Sequence, residues 1–100
     1  MQHIAVLRET ETGQLLAQFD PNGLDIRIVK ATPSTSLCLR FIDPYGDLVI
    51  NQIQLPVLIG ELQDFRASST EPDLREHLDR LIRFLQDSAE IHVYIRFAGD

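Results

Sequence analysis

His92, Tyr94 and Arg96 alternate with Val93 and Ile95 near the end of the chain. In an extended strand that spacing puts the three polar side chains on one face. An imidazole, a phenol and a guanidinium side by side supply donors suited to an anion. Residues 36–42 also alternate and read as a strand, with Cys38 and Arg40 sharing a face. Pairing of the two strands would gather Cys38, Arg40, His92, Tyr94 and Arg96 into one cluster. The same set would serve as a dimer seam, since Arg and Tyr are enriched at interfaces. A nucleophilic Cys38 needs a depressed pKa and a nearby base, neither of which the sequence displays, so a small buried thiol is the plainer reading.

Other chemistries have less to work with. His3, His77 and His92 are the only histidines, and none sits at metal-ligand spacing with another His or Cys. The lone Cys38 excludes an intrachain disulfide and a multi-cysteine zinc site. Asp20, Asp25, Asp43 and Asp47 bracket two Asp-Pro-x-Gly turns, where an aspartate hydrogen-bonds its own backbone; the spacing lacks the oxygen density of a calcium loop. Gly-rich phosphate loops and the short catalytic signatures are missing, and no cofactor is expected. Fifteen acidic against nine basic residues give a net charge of −6, and the cations, eight Arg and Lys30, form no run, which disfavours nucleic acid. The longest apolar run, residues 55–59, falls far short of the ~18 needed to cross a bilayer, and the N-terminal stretch lacks a basic lead-in. These features predict a cytoplasmic protein with no membrane partner.

The elements that must position these residues follow from periodicity. With 100 residues, 44% apolar and 24% charged, the chain suits one globular domain. Residues 2–9, 14–19, 25–30, 36–42 and 47–51 read as strands separated by turns, the first Asp-Pro-x-Gly turn closing a tight hairpin into 25–30 and a polar surface loop following at 31–35. From Gln54 the apolar period becomes 3.6. Leu55, Leu58, Ile59, Leu62 and Phe65 define a helix ending near Ala67, with Pro56 in its first turn. Thr70 as cap and Pro72 open a second helix with the stripe Leu74, Leu78, Leu81, Ile82 and Leu85, supported by Glu76/Arg80 and Asp79/Arg83, and stopping around Ser88. Residues 90–97 form the last strand. The predicted fold class is α+β: an antiparallel sheet, made of a five-stranded meander plus a C-terminal strand, with a two-helix hairpin on one face.

Six strands at ~4.8 Å make a sheet about 29 Å wide, while two helices cover about 20 Å. The far face would carry Leu7, Leu16, Val29, Cys38, Ile42, Val49 and Tyr94, too apolar for open water. A homodimer, through that face or through an edge strand, is the expected remedy.

The segment Phe41-Ile42-Asp43-Pro44-Tyr45-Gly46-Asp47-Leu48-Val49-Ile50-Asn51, followed by an apolar helix and a closing strand, resembles a group of short uncharacterised bacterial proteins. The resemblance implies a bacterial origin and brings no assigned activity. The expectation is therefore a non-catalytic protein-interaction module that self-associates, with an accessory or immunity-type protein as one form. The alternative is a small-ligand (anion) binder or small enzyme using Arg40, His92, Tyr94 and Arg96.

Overall fold

A computed structural model describes residues 3–31, 36–43, 45–88 and 92–99. The elements run β1 (Ala5–Thr10), β2 (Leu15–Gln18), α1 (Ile26–Ala31), a single 3-10 turn (Leu39–Phe41), β3 (Asp47–Ile50), α2 (Leu55–Ser68), α3 (Pro72–Gln86) and β4 (Val93–Ala98). The strands form one antiparallel sheet in the order β2-β1-β4-β3. The fold is α+β, and the expected five-stranded meander is corrected, among the described residues, to four strands with three helices.

Two predicted strands account for the difference. Residues 25–30 alternate in polarity, yet they form α1. The Asp25 carboxylate accepts the Arg27 backbone N–H at 2.9 Å, which caps the first turn, and Ile28 then points into the core. Consequently Asp20-Pro21-Asn22-Gly23 does not close a hairpin. Its chemistry is as read, with Gly23 at φ +76° donating to the Asp20 carbonyl at 2.8 Å, but it leads into a helix. Residues 36–42 coil into the 3-10 turn because the Glu61 carboxylate on α2 gathers their N–H groups. Cys38 donates at 2.9 Å, Leu39 at 3.1 Å, and Leu37 donates as well. Gln2, the loop at 32–35, Pro44 of the second turn and residues 90–91 of the last strand lie outside the described residues.

The helices owe their faces to the stripes seen in sequence. Asn51 Oδ1 accepts the N–H groups of Ile53 and Gln54 at 2.9 Å each, starting α2 despite Pro56. Leu55, Leu58 and Leu62 of α2 and Leu74, Leu78, Leu81, Ile82 and Leu85 of α3 are buried. The cap of α3 is Glu71 rather than Thr70, without a side-chain cap bond. One member of each pair expected along α3 reaches another element instead, Arg80 to Asp20 at 3.0 Å and Asp79 to Arg66 of α2. One contiguous core joins these helices to Val6, Ile50, Ile95 and Phe97 on one face of the sheet, with Ile28, Cys38, Leu39 and Ile42 filling the helix layer.

This corrects the expected shortage of cover. Four strands span about 19 Å, which two helices match. Val29, Cys38 and Ile42, expected on the far face, belong to the helix layer. The far face itself still has no apolar residue in the core.

Candidate functional site

Strand register builds the far face row by row. Leu7 and Val49 flank Arg96; Glu9 lies opposite Tyr94 and, on its other side, opposite Leu15; Ala5 and Asp47 flank Ala98. Because successive residues of a strand face opposite ways, these positions share the side away from the helices. Leu16 is the extra residue of a β-bulge, since Arg8 pairs with Ala17 and Glu9 with Leu15. At the two outer strands, Leu15 and Val49 are 54% and 53% exposed.

Arg96 sits at the centre. Its Nε and one terminal nitrogen donate to the two oxygens of Glu9 at 2.9 and 3.0 Å, and the other terminal nitrogen donates to Asp47 at 3.0 Å. The bonds to Glu9, then the one to Asp47, raise its pKa, keeping the guanidinium charged. Glu9 itself is buried against it. The charge at the centre of the face is matched from within the chain by a bidentate pair and a third bond.

The five residues singled out from sequence do not assemble. Tyr94 and Arg96 share the far face as expected. His92 precedes β4 in a left-handed conformation, φ 66°, and its Nδ1 lies 3.0 Å from the Glu11 carboxylate. Cys38 and Arg40 are carried by the segment of the 3-10 turn, which packs on α2, because the strand meant to bring them to β4 is not a strand. The Cys38 thiol is buried, 4.0 Å from the Gln54 carbonyl oxygen; burial, and secondarily the charge of Glu61, push its pKa up, the opposite of a nucleophile. The Arg40 guanidinium carbon stands 4.7 Å from the centre of the Phe41 ring.

Glu9 was not singled out and Asp47 was read only as a turn residue, although an outward acid on each of two strands beside an outward arginine is a cross-strand charge pattern. Asp20 and Asp43 have the expected role, accepting the N–H groups of Asn22 and Tyr45 at 2.8 Å each. Among the described residues no three His, Cys, Asp or Glu side chains converge as metal ligands, and no helix is long and apolar enough to cross a membrane. A cavity of about 610 Å³ lies between α1, α2 and the start of α3, lined by Ala31, Leu39, Phe65 and Leu74 with Glu61, Asp64 and Glu71. Its polar groups are largely engaged within the chain: Glu61 by the 3-10 turn, Glu71 by Arg27, and Ser36 Oγ by the Arg40 N–H at 2.9 Å. No family model matches this chain, and comparison with curated proteins and with solved structures finds no significant match.

Proposed function

We propose that this protein is a non-catalytic interaction module that self-associates through the far face of its sheet. The carrying observation is that this face presents Leu7, Leu15, Val49 and Tyr94 around a guanidinium already bonded to Glu9 and Asp47, so that covering it leaves no cation without a partner and one carboxylate charge in excess, on the half-exposed Asp47 at its edge. A second copy suits the strand order. With a two-fold axis along the strands between two facing sheets, β2 of one copy lies over β3 of the other, and β1 over β4. By register each Val49 then lies over Gln18 of the partner copy and each Arg96 over its Leu7, while Leu15 lies two residues further along the strands, level with Tyr94. The flat area is about 300 Å² per copy, from about 19 Å of sheet width and about 16 Å of strand length. Stable complexes use roughly 800 Å² per partner, so association is weak and concentration-dependent.

Sedimentation velocity over a rising concentration series tests the reading. The expected result is a monomer passing to a dimer, with Leu15→Glu and Val49→Glu each abolishing the dimer. A monomer throughout, or a dimer indifferent to both substitutions, would overturn it.

A further inference from the structure

We propose that residues 25–31 form a pH-sensitive strap, pinned to α3 by His77 and released when that imidazole takes up a proton. The segment is a helix of barely two turns, too short to persist without tertiary support. One apolar anchor, Ile28, is fully buried. Ile26 and Val29 pack partly buried against the same core, and a set of polar contacts ties the segment to α3. Asp25 donates its backbone N–H to His77 Nε2 at 3.1 Å, while Arg27 binds Asp73 at 2.9 Å and also pairs with Glu71.

His77 is the element of this set that changes character in mildly acid solution. Because Nε2 accepts a hydrogen bond, the neutral ring carries its proton on Nδ1. A second proton would fall on Nε2, turning the acceptor of the Asp25 N–H into a donor and leaving that N–H without its partner. The ring is 92% removed from solvent and stands edge-on to Phe19 with centroids 5.4 Å apart, so a charge on it is poorly solvated. The charged groups around it oppose one another. Asp25 and Asp20 on the strap side favour the cation; Arg80 on α3 and Arg27 on α1 disfavour it; His3 backs the adjacent turn at Gly23. Burial outweighs the carboxylates, and the imidazole pKa is lowered.

The sign follows. A histidine with a lowered pKa in the pinned state is protonated more readily once the strap is free. Pinning is therefore fully favoured above the ordinary imidazole pKa of about 6.5 and is lost as pH falls from there through the pinned-state value. Asp20, Asp25 and Asp73 are all held below the usual carboxylate range by their arginine and backbone partners, so they stay ionised over this window and His77 titrates first. Ala31 at the end of the strap and Leu74 on α3 both line the cavity, so release opens that side of it.

Hydrogen exchange read by mass spectrometry, corrected for intrinsic rates, from about pH 7.5 to about pH 5 tests the strap. Protection of residues 25–31 should fall by up to about tenfold per pH unit while β1 and β4 keep theirs, and His77→Gln, whose amide oxygen accepts the same N–H without titrating, should hold protection level. Unchanged protection, a fall shared by β1 and β4, or the same fall in His77→Gln would overturn the proposal. Should His77→Gln not fold, imidazole nitrogen shifts of the unaltered protein decide. An Nδ1–H tautomer that titrates below 6.5 together with loss of Asp25 protection supports the strap, and titration at or above 6.5 refutes it.

Discussion

Glu61 accepts the backbone N–H of Cys38 at 2.9 Å, and the same carboxylate takes those of Leu37 and Leu39. One side chain of α2 thus satisfies three amides of a segment that has no strand partner. Removing it leaves those donors without an acceptor, a loss of the kind seen at helix caps. Glu61→Gln should cost about 1 kcal/mol and Glu61→Ala about 2 kcal/mol, read as a drop in the urea midpoint with unchanged slope.

The pair of Arg96 and Glu9 should be asymmetric. Arg96→Met leaves a buried carboxylate without its bidentate partner, whereas Glu9→Gln leaves an arginine that still has Asp47. The expected losses are about 2 kcal/mol and about 1 kcal/mol, and the double variant should lose less than their sum. Additive losses in a double-mutant cycle would show the pair to be uncoupled.

Arg8 faces the helices rather than the far side. Its Nε donates to Ser88 Oγ at 2.7 Å, a terminal nitrogen donates to the Phe84 carbonyl at 3.0 Å, and its guanidinium carbon lies 4.5 Å from the Phe84 ring centre. A cation at the carboxyl end of α3 also suits the helix dipole. Lysine cannot reproduce a planar fork stacked on a ring, so Arg8→Lys should cost about 1 kcal/mol and lower Tm by about 4–8 °C.

Two glycines with positive φ should respond differently to alanine. At Gly23 an added Cβ would overlap the Ile4 carbonyl oxygen and the His3 ring, while at Gly13, φ 88°, it would meet open space. Gly13→Ala should cost about 1 kcal/mol, from backbone conformation alone, and Gly23→Ala at least about 2 kcal/mol, with a shift of the residues 19–24 amide resonances.

The long helices were legible because Leu55 to Phe65 and Leu74 to Leu85 repeat their apolar positions over several turns, and the last strand because Val93, Ile95 and Phe97 alternate with polar residues. Residues 25–30 were not legible. Six residues are too few to display a 3.6 period, and Ile26, Ile28 and Val29 favour a strand on propensity. What decides α1 is the Asp25 cap together with the place in the core awaiting Ile28. Residues 36–42 failed for a longer-range reason: the residue that coils them, Glu61, lies on another element, and local sequence carries no sign of it. The candidate cluster inherited that failure, since Cys38 and Arg40 depended on a strand that Glu61 prevents. Arg96 was found, but its partners depend on the register of β4 against β1 and β3, which periodicity leaves open.

Ala5 lies opposite Ala98 in the two central strands of the sheet. On the ribosome, β1 and its hairpin must therefore wait through translation of every intervening element before their main partner emerges. Until then β1 and β3 are not joined into one sheet, and the leucine stripes of α2 and α3 have no continuous surface to cover.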